Sequence, residues 1–146
     1  MKLLQEMEAL APMELSSALD EVVATTSALR LMDMALLLRD DPRLAFDYLR
    51  CLSVVDYGET MQVVYHLWSM QHRHKMALKI DTPAEDARVP SLVSVWAGAD
   101  WFEREGRDLY GVTFEGHPDL KPLLLWEGFE GFPGRRSFPL PEYKEY

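Results

Sequence analysis

Two neighbouring stretches near the middle of the chain have the residue pattern of β-strands. In "HRHKMALKID" the apolar residues Met76, Leu78 and Ile80 fall on alternate positions, and the charged residues Lys79 and Asp81 lie on the opposite side. The stretch before it, "TMQVVYHLWSM", is rich in β-branched and aromatic residues. Alternation and this composition are typical of strands. The two stretches are close enough in sequence to pair as a hairpin.

Apolar residues recur at helical spacing elsewhere in the chain. Residues 2–10 predict a short helix closed by Pro12, and residues 27–40 predict a second helix capped by Ser27. Residues 13–26 are ambiguous, because "DEVVATT" contains β-branched residues that suit a strand, while a loop also fits.

The stretch "DDPRLAFDYLRCL" predicts a further helix. Asp41 can cap it, and Pro42 fits the first helical position, where its missing N–H costs nothing. We expect Cys51 to lie in this helix as a buried core thiol. The apolar residues form one stripe at helical spacing: Leu44, Ala45, Tyr48, Leu49 and Leu52.

The remaining stretches before residue 111 complete a mixed architecture. "SVVDYGE" predicts a short strand that runs into a turn at Gly58, and "TPAEDARVP" predicts a loop. Residues 91–110 predict a helix in one or two pieces. Helices precede and follow the strands, which predicts the α+β class with a mainly antiparallel sheet packed with helices.

The composition changes after residue 110. Residues 111–146 contain five of the nine prolines, five of the eight glycines and seven large aromatic residues. Such a segment is not expected to form helix or sheet, yet disordered tails are poor in aromatic residues. We therefore predict an α+β domain over residues 1–110 and an extended, partner-binding C-terminal arm over residues 111–146. The arm would become ordered by lying on its own domain or on a partner.

The net charge of the chain argues against some classes of binding partner. The chain carries 24 acidic and 15 basic residues, a formal net charge of −9. Nucleic-acid binders and proteins that dock on anionic membranes normally present a basic face. No run reaches the roughly 18 apolar residues that spanning a bilayer requires. The N-terminus carries Glu6 and Glu8 where a signal peptide would be apolar. We expect neither nucleic-acid binding nor direct membrane insertion.

Side chains that could bind a metal or carry catalysis are few. The histidines are His66, His72, His74 and His117, and Cys51 is the only cysteine. A zinc site needs three or four ligands at suitable spacing, and an iron–sulfur cluster is usually held by four thiolates. The sequence contains no nucleophile elbow, P-loop or dinucleotide fingerprint. We therefore predict no catalytic, metal-binding or cofactor-binding residue in this chain.

The stretch "DWFEREGRDLYG" predicts a charged helix. Asp100 and Glu103 have the spacing of a capping box. Glu103 and Arg107 are opposite charges four residues apart, and so are Arg104 and Asp108. Exposed pairs of this kind contribute only a few tenths of a kcal/mol each. The aromatic residues make the helix amphipathic, so part of its charged face is expected to lie against protein. The glycine at its end can adopt the left-handed conformation that terminates helices.

The stretch "WFEREGRDLYGVTFEGHPDLKPLLL" resembles the signature of a known family. This family is the 30 kDa subunit of respiratory complex I, the NADH–quinone oxidoreductase, which has counterparts in cyanobacterial and plastid complexes. Weaker similarity extends upstream, so that the resemblance covers roughly residues 40–140. The residues that match the signature are Trp101, Glu103, Arg104, Glu105, Asp108, Leu109, Tyr110, Gly111, Gly116, His117, Pro118, Asp119 and Leu120.

The C-terminal part departs from the family pattern at a few positions. Where the family reads Gly-His-Pro-Leu-Arg-Lys-Asp-Tyr-Pro-Leu, this chain reads "GFPGRRSFPL". The departures are Phe132, Gly134 and Ser137, and Pro122 replaces a basic residue. Because Ser137 removes a carboxylate, any ion pair that the family makes there is absent from this chain.

The resemblance implies a cofactor-free subunit of a complex I-type NADH (or ferredoxin):quinone oxidoreductase. Such subunits lie in the peripheral arm, on the cytoplasmic face of the membrane or the equivalent organelle side. They pack against the large quinone-site subunit, which is related to the large subunit of nickel–iron hydrogenases. Iron–sulfur clusters, flavin and quinone belong to partner subunits. The chain would then be a non-catalytic part of a hetero-oligomer that couples electron transfer to proton translocation.

The resemblance also implies which residues contact the large subunit. Its charged residues would hold the signature helix and the following loop in register, and its glycines and proline would set the turn. The histidine would form hydrogen bonds locally or across the interface, and the arginines would reach a partner carboxylate or carbonyls. These residues are Trp101, Glu103, Arg104, Glu105, Asp108, Gly111, Gly116, His117, Pro118, Asp119, Arg135 and Arg136.

Two other hypotheses stay open from the sequence. The chain could be the equivalent subunit of a membrane-bound energy-converting hydrogenase or of a deazaflavin-dependent dehydrogenase, because the departures between residues 132 and 137 fit a related complex. It could instead be a stand-alone enzyme that uses His72 and His74. The last hypothesis predicts a monomer with a pocket at the end of the strand hairpin.

Overall fold

A five-stranded sheet forms the centre of the protein in the computed structural model, which describes residues 2, 5 and 14–142. Its order is β1-β2-β5-β4-β3, and every neighbouring pair is antiparallel except β2 and β5, which are parallel. The predicted α+β class with a mainly antiparallel sheet is confirmed. The strands are β1 (Glu14–Ala18), β2 (Glu21–Thr26), β3 (Tyr48–Asp56), β4 (Thr60–Trp68) and β5 (Lys75–Pro83).

The predicted hairpin of two strands is confirmed as β4 and β5. The strands pair from Thr60 with Pro83 to Trp68 with Lys75. Every second residue of β5 points into the core, and the side chains of Met76, Leu78 and Ile80 are fully buried. The apolar alternation therefore sets which face of the sheet is covered.

The ambiguous segment before residue 27 forms a hairpin, β1 and β2. Leu19 and Asp20 join the two strands and both have positive φ values, 50° and 61°. The helix predicted over residues 2–10 lies outside the described residues except for two positions.

Helix α1 (Leu31–Asp40) packs one face on the sheet and begins later than predicted. Its buried residues Leu31, Met34, Ala35 and Leu38 have helical spacing. Ser27 precedes a short 3₁₀ turn and makes no side-chain capping bond, so its predicted role as the cap of this helix is wrong.

The helix predicted over "DDPRLAFDYLRCL" is wrong, because this stretch is a turn followed by β3. Ala45 has a positive φ of 46°, which ends any helix there. The β3–β4 pairing shifts register between Leu49 and Cys51. The extra residue of this bulge places both Leu49 and Leu52 in the core, three positions apart. A strand with a bulge thus imitates the spacing of a helix.

The expectation for Cys51 is wrong for the same reason. The residue lies on β3 opposite His66 of β4 and is only half-buried. It adjoins a polar cavity of about 220 Å³ that is also lined by Glu21, Arg50 and Lys75. Its strand neighbour Leu52 faces the core instead.

The segment between the sheet and the charged helix differs from the prediction. The predicted loop "TPAEDARVP" contains the end of β5, a 3₁₀ turn (Ala84–Asp86) and strand β6 (Arg88–Pro90). Helix α2 spans only Ala99–Tyr110, and the residues from 92 to 98 form turns. The indole Nε1 of Trp96 donates to the carbonyl oxygen of Phe46 at 2.8 Å and fixes these turns to the loop before β3.

The segment after residue 110 is not free of sheet, which corrects the expectation for the arm. Strand β7 (Thr113–Glu115) pairs in parallel with β6. Val112 and Phe114 are buried in the core. The packed core therefore extends beyond Gly111, while the division at residues 110 and 111 stays a prediction. Among the described residues, no helix is long and apolar enough to cross a membrane.

Candidate functional site

Helix α2 lies close against β3 and β7 because it has a glycine at the contact. A Cβ atom built on Gly106 would lie 3.1 Å from the ring of Phe114 and 3.2 Å from Val54. The helix buries a charged residue and exposes an aromatic one. Glu103 is 0% exposed, whereas Trp101 is 67% exposed. The expectation that part of its charged face lies against protein is confirmed.

Glu103 is a buried anchor for the turns that precede the helix. Its Oε2 accepts a hydrogen bond from the hydroxyl of Ser91 at 2.6 Å, and its Oε1 accepts one from the backbone N–H of Leu92 at 2.7 Å. The predicted capping box with Asp100 is wrong, because the helix begins after Gly98 and has no side-chain cap. Burial raises the pKa of the Glu103 carboxyl, and its two hydrogen bonds oppose that shift.

Tyr65 of β4 lies close enough to Glu103 to interact with it electrostatically. Its side chain is fully buried, and its hydroxyl has no hydrogen-bond partner among the described residues. Burial raises the pKa of Tyr65 well above its ordinary value, and the carboxyl of Glu103 adds to the shift.

Arg104 and Asp108 bind the chain segment that follows β7. Arg104 donates from Nε to the carbonyl oxygen of Lys121 and from an Nη atom to that of Pro122, both at 3.0 Å. One oxygen of Asp108 accepts from three consecutive backbone N–H groups, at 3.1, 2.8 and 2.9 Å, those of Leu123, Leu124 and Leu125. Salt bridges from Glu103 to Arg107 and from Arg104 to Asp108 were predicted, and neither occurs among the described residues.

His117 closes the turn after β7 onto the start of helix α2. The backbone N–H of Asp119 donates to His117 Nδ1 at 2.9 Å, so Nε2 carries the proton and donates to Asp100 Oδ1 at 2.8 Å. The imidazole is almost completely buried, with 1% of the side chain exposed. Gly116 takes a φ of 83° in this turn, and Pro118 is exposed. Of the two roles expected for His117, the local one is present.

Gly111 ends helix α2 as predicted, with a left-handed φ of 74°. The position also needs glycine for space, because a Cβ atom would lie 2.6 Å from the ring of Phe132. The guanidinium groups of Arg107 and Arg135 lie 5.4 and 5.2 Å from the centre of the same ring. Phe132, a departure from the family pattern, thus packs near two arginines at the end of the helix.

The arm continues to bind the domain beyond Phe132. The backbone N–H of Gly134 donates to the carbonyl oxygen of Leu109 at 2.8 Å, and Nε of Arg135 donates to that of Tyr110 at 2.7 Å. These bonds occupy two carbonyls at the C-terminus of helix α2, which lack partners within the helix. Arg135 was predicted to reach a partner, but its Nε is bonded within the chain.

Asp56, at the end of β3, holds the next part of the arm. Its Oδ2 accepts from the backbone N–H of Arg136 at 2.8 Å, and its Oδ1 accepts from that of Gly58 at 2.7 Å. These two hydrogen bonds, the bond from Arg136 first, hold the pKa of the Asp56 carboxyl below its ordinary value. No local pattern in the sequence indicates this contact, because the residues are 80 positions apart.

The outward side of helix α2 and the arm exposes three large apolar side chains. Trp101, Leu124 and Trp126 are 67%, 60% and 70% exposed. Trp101 and Leu124 line one cavity of about 600 Å³ between the start of the helix and the arm. Glu105 is exposed and makes no hydrogen bond or ion pair with any described residue. The matched signature residues thus divide into those that bind this chain's own backbone and those that face outward.

The histidines near the hairpin have a structural role. Nε2 of His72 lies 2.7 Å from the carbonyl oxygen of Pro42, and Nε2 of His74 lies 2.7 Å from that of Leu44. Each ring therefore fastens the loop before β3 to the β4–β5 hairpin. Within the described parts of the chain, no group of three or more His, Cys, Asp or Glu residues could hold a metal ion.

Comparisons with known proteins agree with the resemblance. The family profile described as respiratory-chain NADH dehydrogenase, 30 kDa subunit, matches residues 24–144. An NADH-quinone oxidoreductase subunit of Chloroherpeton thalassium is 43% identical over 111 residues, which cover 75% of this chain and 46% of that protein. The chain therefore matches about half the length of this relative.

Two solved structures are similar in fold. A trypsin-resistant fragment (1–134) of Nqo5 is 27% identical, with a TM-score of 0.68, over 81% of this chain and 96% of the fragment. A chain of the membrane-bound sulfane sulfur reductase, an archaeal respiratory membrane complex, is 20% identical, with a TM-score of 0.82, over 95% of this chain and 85% of that one. Because the family profile covers most of the sequence, the chain belongs to the family of the 30 kDa subunit of respiratory-chain NADH dehydrogenase.

Proposed function

We propose that this chain is a cofactor-free, non-catalytic subunit in the peripheral arm of a complex I-type NADH (or ferredoxin):quinone oxidoreductase. In this proposal it docks on the large quinone-site subunit, on the cytoplasmic face of the membrane or the equivalent organelle side. It stabilises that subunit while the complex couples electron transfer to proton translocation. The neighbouring iron–sulfur subunits complete the hetero-oligomer.

The proposal rests on the two different roles of the side chains on and beside helix α2. Glu103, Arg104 and Asp108 are bound to backbone groups of the same chain. A buried or bonded charge of this kind fixes structure and is not free to act on a substrate. The apolar side chains beside it, Trp101 and Leu124, stay exposed. Exposed aromatic residues on a rigid support are typical anchors of a protein–protein interface.

The proposal assigns no redox chemistry to this chain. Flavin, iron–sulfur clusters and quinone are placed in the partner subunits, and this chain supplies a shaped surface. The charge of −9 fits a surface that meets a complementary partner in preference to nucleic acid. The relative from Chloroherpeton thalassium is named for an NADH-quinone oxidoreductase, which favours a quinone reductase over the related hydrogenase and deazaflavin-dependent complexes.

Affinity isolation from gently solubilised membranes tests this proposal. A tagged full-length chain is expected to bring down one large, hydrogenase-like subunit together with iron–sulfur proteins, identified by mass spectrometry. Iron and flavin should be present in the assembly and absent from the chain expressed alone. The partner sequence then distinguishes the alternatives, since a hydrogenase partner has four metal-binding cysteines. Recovery of the full-length chain as a lone monomer would contradict the proposal.

A further inference from the structure

The outward side of helix α2 is a groove centred on Glu105. Two cavities meet there, one of about 600 Å³ towards Trp101 and Leu124 and one of about 170 Å³ towards β3. Phe102 and Glu105 line both. Most of the side chains that line the groove are apolar, and Glu105 is the one carboxylate among its described residues that makes no hydrogen bond or ion pair.

Trp101 and Glu105 share one face of the helix because they lie four residues apart. Trp101 is largely exposed, and Glu105 has no partner among the described residues. The other acidic residue that lines the groove, Asp100, is paired with His117. One cationic side chain could then lie on the indole and bond the Glu105 carboxylate at the same time. Arginine suits both contacts, because its planar guanidinium stacks on aromatic rings and binds carboxylates with two N–H groups.

Resting on the proposed function, we propose that this groove binds an arginine-containing segment of the neighbouring large subunit. The arginine stacks on Trp101 and pairs with Glu105, and an apolar residue beside it fills the cavity between Phe102 and Leu124. The occupant is one partner segment with a basic and an apolar side chain side by side. The chemistry of the groove selects it, because an acidic segment would place a second carboxylate next to Glu105.

Site-specific photo-crosslinking within the intact assembly tests where the segment lies. A benzoylphenylalanine replaces Trp101 in the tagged full-length chain, and in a control it replaces Met70, which is 63% exposed and is not a groove residue. We expect the probe at position 101, but not that at position 70, to label one segment of the large subunit that contains an arginine next to an apolar residue. A labelled segment without an arginine would overturn the proposal.

A charge exchange tests the pairing itself. Glu105→Arg is expected to reduce retention of the large subunit at least roughly thirtyfold, as when a buried charge pair is broken. Changing the labelled arginine of the partner to glutamate should restore retention. Glu85→Arg, at an exposed position outside the groove, serves as the matched control and should leave retention unchanged.

The outcomes separate this inference from the proposed function. If the wild-type chain brings down the large subunit but Glu105→Arg retains it equally well, the groove assignment is wrong while the proposed function stands. The groove assignment also fails if the exchanged pair does not restore retention. If the wild-type chain brings down no large subunit, the proposed function fails, and the partner inferred for the groove fails with it.

Discussion

Asp108 Oδ2 lies 2.8 Å from the backbone nitrogen of Leu124 and also accepts from the N–H groups on either side of it. Three consecutive backbone donors on one carboxylate oxygen fix the path of the chain after β7. Four residues earlier, Arg104 binds the two carbonyls just before this point. Charged residues of helix α2 therefore bind the arm. Arg104 and Asp108, which have opposite charges, form hydrogen bonds with backbone groups of the arm and not with each other.

Replacing Asp108 tests this anchoring directly. Asp108→Asn keeps the shape but removes the negative charge from three N–H groups, so we expect the free energy of unfolding to fall by about 1–2 kcal/mol. Amide exchange at Leu123 to Leu125 should accelerate more than elsewhere. Urea denaturation and hydrogen exchange measure both effects. Glu59→Gln, at an exposed position whose side chain makes no hydrogen bond with a described residue, is the control for loss of charge and should change neither.

Removing the buried carboxylate should cost more. Glu103→Ala leaves the N–H of Leu92 and the hydroxyl of Ser91 without their acceptor and opens a cavity. We expect a loss of about 2–4 kcal/mol in the free energy of unfolding, measured by urea denaturation. Glu103→Gln retains an acceptor for Leu92 and should lose much less. Equal losses in the two variants would show that these bonds contribute little.

The pH dependence of Glu103→Gln has a predicted sign. Burial raises the pKa of Glu103, so the folded protein keeps this proton to a higher pH than the unfolded chain. Above the unfolded value of about 4.3, wild-type stability therefore falls as pH rises through the folded pKa. We expect the stability of Glu103→Gln relative to wild type to increase as pH rises above the unfolded value of about 4.3. Denaturation curves across this range measure it, and an opposite slope would show that the carboxyl is not destabilised by its burial.

Asp56 should give the opposite pH dependence. Its pKa is lowered, first by the hydrogen bond from the N–H of Arg136, so its contribution is complete above the unfolded value and is lost as pH falls through the folded pKa. The stability difference between wild type and Asp56→Asn should therefore be largest near neutral pH and shrink in acid. Exchange at Arg136 should be faster in the variant at neutral pH. Glu85→Gln, at an exposed position whose side chain makes no hydrogen bond with a described residue, is a control for charge alone.

The contact at Gly134 is sensitive to one methyl group. A Cβ atom there would lie 2.9 Å from the carbonyl oxygen of Leu109, which is backbone and cannot rotate away. We expect Gly134→Ala to reduce stability by about 1–3 kcal/mol, as overpacking does, and to release the end of the arm to proteolysis. Gly98→Ala, with open space at the same atom position, should be close to neutral. Thermal unfolding of the two variants compares them.

The strand hairpin and the glycine that ends helix α2 could be predicted because each depends on local pattern. Alternating residues such as Met76 and Leu78 identify a strand without knowledge of its neighbours. Gly111 identifies a helix end for a similar reason, since few other residues adopt its backbone conformation. The bulge near Cys51 could not be predicted, because one extra residue changed a period of two into the spacing of a helix.

The sequence indicates which residues form the candidate site, and that assignment stays a prediction, but it does not indicate what each residue contacts. Asp100 and Glu103 have the spacing of a capping box, while in the fold Asp100 bonds His117 and Glu103 bonds Ser91 and Leu92. Residue spacing shows which contacts are possible within one helix. It does not show whether a side chain will instead bind a group that is distant in sequence. The contact of Asp56 with Arg136 is of the same kind, because only the folded chain brings these residues together.

Hydrogen exchange on the isolated chain and on the assembly tests most directly whether helix α2 orders the arm before any partner binds. We predict that the amides of Leu123, Leu124, Leu125, Gly134 and Arg136 are already protected in the isolated chain. Binding should then add protection mainly around Trp101 and Glu105. If these arm amides exchange in the isolated chain at the rate of an unfolded peptide and become protected only in the assembly, the partner orders the arm and the role assigned to helix α2 is wrong.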